Sequence, residues 1–542
     1  MLNVPYQPVV EIGSDVRQPR GAATTRGGNH TRSRDVVKPI VCACWSSYDR
    51  AAMTMGKTGE EQDELFVTHG SLRASGGHAF YDALDRVLRK QGFDKYVEKL
   101  CAPSYAKRGR PSVAPGVYFR CLLVGYFEGI DSERGIAWRV ADSISLRSFL
   151  GLPLGKNPPD HSTISRTRRL LDLETHRKVF TWVLRVLAKA NLLRGKILGV
   201  DATTLEANAT LRSIVRRDNG QHYDEFLTDL ARADGIEDPT REDLARLDRK
   251  RPKKGSNEDW VHPLDPEAEI MKMKDGRTHL AHKQEHAVDL ETGAVVGVTL
   301  AGGAAGDTKT IEQTLIEADD NIQQVRDEAD DRDAKRIAEH PKAVVADKGY
   351  HSNVVITLLE EAEIRGYISE PARGRRNWKG KHDERDAVLR NRRRIRGARG
   401  KALLRRRGEL VERPFAHALE TGGMRRTHLR KHDNILKRVL VHVAGLNLSM
   451  LMRSLVGVGK PRCLQGRAGL LEALLAALFV LWNTLAQRWT RLLAATNAHM
   501  PLSSSSPSRS RSASAKSRRL AGSPFRLSTT GCYPSTLARS RS

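Results

Sequence analysis

Lys196-Ile197-Leu198-Gly199-Val200-Asp201-Ala202-Thr203-Thr204 is the stretch that decides the fold. Four apolar residues run without interruption into an acid. So short a run reads as a buried strand that brings a carboxylate to its C-terminal end, where open α/β sheets place their ligands. A second such word follows Pro341, where Ala343-Val344-Val345-Ala346 runs into Asp347-Lys348-Gly349-Tyr350. Between the two, Leu280 to Leu290 and Ala294 to Leu300 flank Glu291-Thr292-Gly293 with the alternation of a hairpin, and a helix is expected from about Thr308 to Glu339. Beyond the second word come a helix, Asn353 to Ala362, and a strand, Gly366 to Ser369. A further helix, about Gly408 to Leu419, carries Glu412 and stops at Thr421-Gly422-Gly423. The fold class read from this order is α/β.

Upstream the pattern is helical from about His78 to Arg194. Phe80, Leu84, Val87 and Leu88 share one face, and Val117 to Phe127 reads as a buried helix. The prolines of Asn157-Pro158-Pro159 stop one element, and Asp160 is placed to cap the next. That helix brings Ser162, Ser165, Arg166, Arg168 and Arg169 within reach of phosphates, as in a helix-turn-helix, although a surface helix with a basic face reads equally well. The expected organisation is an extension without fold over 1–52 and an all-helical DNA-binding domain over 53–195. A catalytic α/β domain follows over 196–455, with insertions at 206–275 and 370–407, then a C-terminal helix over 456–500 and a disordered tail over 501–542.

Charge narrows the partner. The 542 residues hold 91 Lys and Arg against 64 Asp and Glu, a net of +27. An excess this large favours a polyanion, most often nucleic acid. From Arg373 to Arg407 there are 16 Lys and Arg against three acids (Asp383, Glu384, Asp386), and Arg375 and Arg376 open that run. From Pro501 to Ser542 there are eight Lys and Arg, no acid and 14 Ser, which reads as a disordered tail. Six Cys without ligand spacing are neither a disulfide scaffold nor a zinc site, and thiols in a reducing compartment are the expectation. The longest apolar run, Ala473 to Trp482, is about half the ~20 residues of a membrane span. The setting read from this is cytoplasmic.

Asp201, Asp347 and Glu412 are the candidate chemistry. Three such carboxylates at one site can bind two hard divalent cations that flank a phosphodiester. Taken singly, a strand-end Asp is more often a turn former and a Glu on a basic helix an ion-pair partner, so the weight lies on their order. Arg425-Arg426-Thr427-His428-Leu429-Arg430-Lys431-His432, with Lys437 beyond it, reads as a phosphate-contacting surface. Trp378 suits stacking on an unpaired base or packing in the basic stretch. For His279, His282 and His286, strand packing or DNA contact reads better than a metal. Leu470 to Leu493 reads as an amphipathic partner or core helix.

The words Gly199 to Asn208, Val345 to Ser352 and Glu409 to His417, the last running on through Arg426, together resemble the DDE-type bacterial insertion-sequence transposases, whose catalytic domain is RNase H-like. Arg277 to Lys283, Gly306-Asp307 and Pro159-Asp160-His161-Ser162-Thr163 add to the likeness, which spans about Phe80 to Arg453. It implies that Asp201, Asp347 and Glu412 bind Mg²⁺ or Mn²⁺, two ions, and carry out cleavage and strand transfer of double-stranded DNA at terminal inverted repeats and a target. It also implies at least a homodimer on DNA, with no membrane, in a bacterial, nucleoid-associated setting. Many relatives have Tyr and Arg seven and four residues before the Glu and Lys seven after; here Arg405, Gly408 and Leu419 stand there. Arg407, Arg413, Arg425 and Arg426 are the cations left to hold DNA. Two rival readings are a non-catalytic DNA-binding remnant and a nuclease that only hydrolyses.

Overall fold

The computed structural model describes residues 77–463, apart from 107–111, 154, 252–254, 274–275, 373 and 375. Seven helices come first: α1 (Ala79–Lys90), α2 (Phe93–Cys101), α3 (Pro115–Glu128), α4 (Glu133–Ala141), α5 (Ile144–Phe149), α6 (His161–Leu170) and α7 (Leu173–Lys189). The chain then enters a sheet through β1 (Ile197–Glu206). It leaves for a charged segment holding β2 (Val215–Arg216), α8 (Tyr223–Ala233), α9 (Arg241–Lys250) and β3 (Trp260–Val261). It returns through β4 (Glu269–Lys272), β5 (Thr278–Asp289) and β6 (Val295–Gly302), followed by α10 (Asp307–Asp327) and α11 (Asp331–Ala334). The remainder is β7 (Ala343–Ala346), α12 (Asn353–Glu361), β8 (Arg365–Ile368), α13 (His382–Arg396), α14 (Ala398–Ala416) and α15 (His432–Val456). The expected extension over 1–52, the helix within 470–493 and the tail over 501–542 lie outside the described residues.

The sheet is mixed, in the order β4-β5-β1-β7-β8, with β6 beside β5. β1, β7 and β8 run parallel, and β5 is antiparallel to β1, β4 and β6. This is the expected α/β class: a mixed sheet flanked by helices and preceded by a helical region. Helix α10 covers β5 and β6, while α14 lies across β1 and β7. Gly199 is why α14 can approach β1 so closely. A Cβ there would stand 2.6 Å from Leu290 Cδ2 and 2.7 Å from Val411 Cγ2, both on buried side chains. Gly199→Ala is therefore expected to cost about 1–3 kcal/mol by overpacking, read as a lower urea midpoint, and to lift α14 from the strand. An unchanged midpoint would show that the helix gives way freely.

Three expectations need correction. First, β1 does not end at Asp201 but continues to Glu206, because β5 pairs with it from Leu198 to Glu206 and satisfies the extra backbone. Second, the boundary near 195 divides the sequence but not the core. Phe80, Leu84 and Leu88 of α1 belong to the same buried cluster as Val200 of β1 and Val345 of β7. Helix α15 joins the halves, since it is apolar around most of its circumference and packs against α3, α7 and β6. By length and composition α15 could cross a membrane, but it is mostly buried in the fold. Third, the insertion read over 206–275 has a core of its own and reaches the sheet. Ile214, Trp260, Ala268 and Leu280 form a satellite core there, and β4 joins the main sheet.

Candidate active site

Ile197, Leu198 and Val200 are buried and fix β1 in the middle of the sheet, so Asp201 is positioned by a strand with a neighbour on each side. The parallel register pairs Gly199 with Val345. That pairing stops two residues before Asp201 on β1 and two residues before Asp347, just beyond β7. Asp347 follows β7 and caps the 3₁₀ turn Lys348–Tyr350, accepting from the Gly349 N–H at 2.9 Å. Gly349 is required in that turn: a side chain there would run into the Asp307 carboxylate, with Asp347 Oδ1 3.1 Å away. Glu412 is exposed on α14, next to Val411, which packs on β1.

The electrostatics of Asp201 record its neighbours. Burial raises its pKa, and the charges of Asp347 and Glu412 push the same way, while the Arg407 guanidinium and the Ala202 N–H oppose them. Arg407 Nη2 lies 2.7 Å from Asp201 Oδ2, and Nε donates to the Val200 carbonyl at 3.5 Å. Arg407 reaches in from α14, five residues before Glu412, so its cation is spent on a candidate site residue rather than held out for DNA. Among the described residues no three His, Cys, Asp or Glu side chains are close enough together to hold an ion in this conformation. The donor set nevertheless suits one: hard carboxylate oxygens, one of them half-buried among like charges and paired with a guanidinium.

A polar network that the sequence reading did not assemble supports the Asp347 turn. Lys283 Nζ lies 2.6 Å from Asp307 Oδ1 and donates to Thr310 Oγ1 at 2.8 Å. Buried Glu285 accepts from the Tyr350 hydroxyl at 2.7 Å, from Thr310 at 2.9 Å and from Thr314 at 2.5 Å. Burial and Glu285 together raise the Tyr350 pKa, so the phenol remains a donor. The signal in the sequence was an acid inside an otherwise strand-like word.

The expected DNA contacts divide. Arg166 and Arg169 are exposed on α6, whose N-cap Asp160 accepts from the Thr163 N–H at 2.7 Å. Arg413, next to Glu412, is exposed, as are Arg425 and Arg426, of which Arg425 pairs with Glu420 and Arg426 Nε lies 3.8 Å from Glu206. Arg168 and Lys437 are corrections, because both are buried. Arg168 lies 2.8 Å from Glu133 Oε1 and 2.8 Å from Asn434 Oδ1, and Lys437 donates to the Arg168 carbonyl at 3.4 Å. Arg168→Ala should cost about 3–5 kcal/mol, because Glu133 is left without its partner. Arg166→Ala and Arg169→Ala should leave the unfolding midpoint in place. Equal midpoints for all three variants would remove the structural role given to Arg168.

Arg375 lies outside the described side chains. Arg376 pairs with Glu370 at 3.0 Å and lies over Trp378, which packs with Ile356, Ala387 and Val388 rather than facing an open groove. Arg390 and Arg394 pair with Glu360, and Arg392 pairs with Glu370. Four of the 16 cations between Arg373 and Arg407 thus tie this stretch to Glu360 of α12 and to Glu370 just after β8. Of the histidines, His286 stacks on Phe415 at 4.4 Å, and His282 lies 3.3 Å from buried Asp265 and 3.0 Å from His432. They serve packing and buried polar pairing.

Residues 200–448 match the family described as Transposase DDE domain. Residues 72–170 match the one described as Transposase domain (DUF772). The chain belongs to the DDE-type insertion-sequence transposases. Comparison with curated proteins gives no match. The family implies DNA as the substrate and generally uses divalent metal ions. Both segments that the transposase models match run through the shared core, so helices and sheet belong to one transposase body.

Proposed function

We propose that this transposase cuts DNA at the ends of its element and joins the freed 3′-hydroxyl to a target, with Asp201, Asp347 and Glu412 as the residues that hold two Mg²⁺ or Mn²⁺ ions. The observation that carries the reading is Asp201 on β1, with Asp347 just beyond the neighbouring parallel strand β7 and Glu412 on α14 both near enough to raise the Asp201 pKa, inside residues matched by the DDE transposase family. Bound divalent ions would supply activation of the attacking oxygen and stabilisation of the leaving one.

The chain's own residues do the rest. Asp201 is paired with His286 of β5, while β7 pairs with β1 up to Gly199, two residues earlier. The Gly349 N–H orients Asp347, and the buried Lys283–Asp307 and Glu285–Tyr350 contacts brace the turn behind it. Arg407 pairs with Asp201 and lowers its pKa against the effect of burial, and it would have to release that carboxylate for an ion to bind there. Arg413, next to Glu412 on α14, and Arg425 and Arg426 beyond it are exposed and are offered to DNA phosphates, and Arg166 and Arg169 offer a second exposed contact on α6. The work is done on double-stranded DNA by at least a dimer, in the cytoplasm at the nucleoid.

The test is incubation of the full chain with a duplex carrying the element's end and a target plasmid in Mg²⁺. Cleaved ends that become joined to the plasmid are expected. Cut ends that never join would identify a hydrolysing nuclease, and binding without cleavage would identify a non-catalytic remnant.

A further inference from the structure

The sheet has a second charged edge, at the opposite ends of its parallel strands. A cleft of about 990 Å³ opens where β1, β7 and β8 begin. Arg194, Lys196, Lys335, Lys342, Arg365 and Arg399 line it. Five of these are exposed and Arg194 is half-buried. Among the described residues no ion pair is formed by any of the six, in contrast with the paired arginines of α13. Three acids, Glu291, Glu339 and Glu363, share the lining, and Glu339 is engaged by Arg326 at 3.3 Å. The cleft therefore holds an excess of cations that the fold does not use.

Its geometry is rigid. The Lys342 N–H donates to the Lys196 carbonyl at 2.9 Å, and the Arg365 N–H donates to the Lys342 carbonyl at 3.1 Å. Lys196, Lys342 and Arg365 thus stand on three adjacent strands, each about 4.8 Å from the next. The Ala338 N–H ties the loop before β7 to the Arg194 carbonyl at 2.8 Å. An ordered rank of unneutralised cations suits the closely spaced phosphates of a nucleic-acid backbone, which release counterions on binding. Lys342 and Asp347 stand at opposite ends of β7, about 16 Å apart at strand rise.

We propose that this cleft is a second DNA-binding surface, which takes a stretch of duplex separate from the one at Asp201, Asp347 and Glu412. It rests on the reading of DNA as the substrate. The experiment measures binding of a labelled 40-base-pair duplex to the full chain over a range of salt. The wild type is compared with the triple variants Lys196→Gln/Lys342→Gln/Arg365→Gln and Lys196→Glu/Lys342→Glu/Arg365→Glu. Three lost phosphate contacts should reduce the slope of log K against log salt by about 3 and the affinity near 0.1 M salt at least tenfold, more for Glu than for Gln. Binding within twofold of wild type with an unchanged slope would overturn the second surface. Failure of the wild type to bind any duplex would instead overturn the DNA reading itself.

A second measurement needs no variant. Bound duplex should protect Lys196, Lys335 and Lys342 of the wild-type protein severalfold from acylation, as read by mass spectrometry. Unchanged reactivity at all three, with Arg166 and Arg425 variants still weakening binding, would confine DNA to the other faces.

Discussion

Asp347→Asn should reduce DNA strand cleavage by on the order of a thousandfold while leaving the fold and duplex binding intact. The amide keeps the shape and can still accept from the Gly349 N–H, so the 3₁₀ turn survives. It removes a negative oxygen that a divalent ion needs, and ion-supplied charge stabilisation of several kcal/mol corresponds to three or so powers of ten in rate. Asp201→Asn should be as damaging to cleavage, with one difference: the Arg407 guanidinium then loses its carboxylate and stays buried without it. A drop in unfolding midpoint is expected for Asp201→Asn and not for Asp347→Asn. Full cleavage by both variants would refute the site. Acid should act in the same direction. Because burial holds the Asp201 pKa above the ordinary carboxylate range, ion loading should begin to fail at a higher pH than for an exposed Asp. Arg407→Gln should move that limit higher still, since Arg407 is what lowers the value.

Acidification below about pH 6 should also unfold the protein steeply, for a reason unrelated to the carboxylates. Three histidines are buried neutral. His176, between Tyr118 and the Asp172 carbonyl, is pushed down to about 4, chiefly by burial. His286, stacked on Phe415, falls to about 3, and His442, bonded to the Ala418 carbonyl, also falls to about 3, again through burial. In the unfolded chain each would titrate near 6.5. The folded values are lower, so the unfolded state binds more protons. The stability is fully present above 6.5 and is lost as pH falls from there toward 4. With three protons involved the loss approaches about 4 kcal/mol per pH unit in the middle of that window. Calorimetry between pH 7.5 and 4.5 should show the melting temperature falling, and His286→Gln should remove about a third of the slope. A melting temperature flat from pH 7.5 to 5 would refute the assignment.

Much of the fold was legible in local pattern. The apolar run Ala343–Ala346 is a strand with the bounds read from sequence, and the hairpin around Glu291-Thr292-Gly293 is β5 and β6. Each is decided by near neighbours: β-branched residues, a turn glycine, an abrupt change of polarity. The ends of elements were harder. β1 continues past Asp201 because a strand more than 70 residues away pairs with it, and α14 begins at Ala398, where Gly400 lies against the end of α13 and Leu403 is buried. The charge was misjudged for the same kind of reason. Arg168 and Lys437 look like phosphate contacts in the sequence, but Glu133, Asn434 and a carbonyl met in the fold have already claimed them.

By itself the sequence determined the class of sheet, the three carboxylates in their order, and an excess of positive charge that calls for a polyanion. Those are properties of composition and short-range periodicity, which no later contact can alter. Only the tertiary structure decided which cations are spent and which remain. It paired Arg407 with Asp201, buried the α6 and α15 cations at their junction, and left Lys196, Lys342 and Arg365 in rank on three strand starts. Charges scattered over 170 residues become one surface only when parallel strands set their first residues side by side.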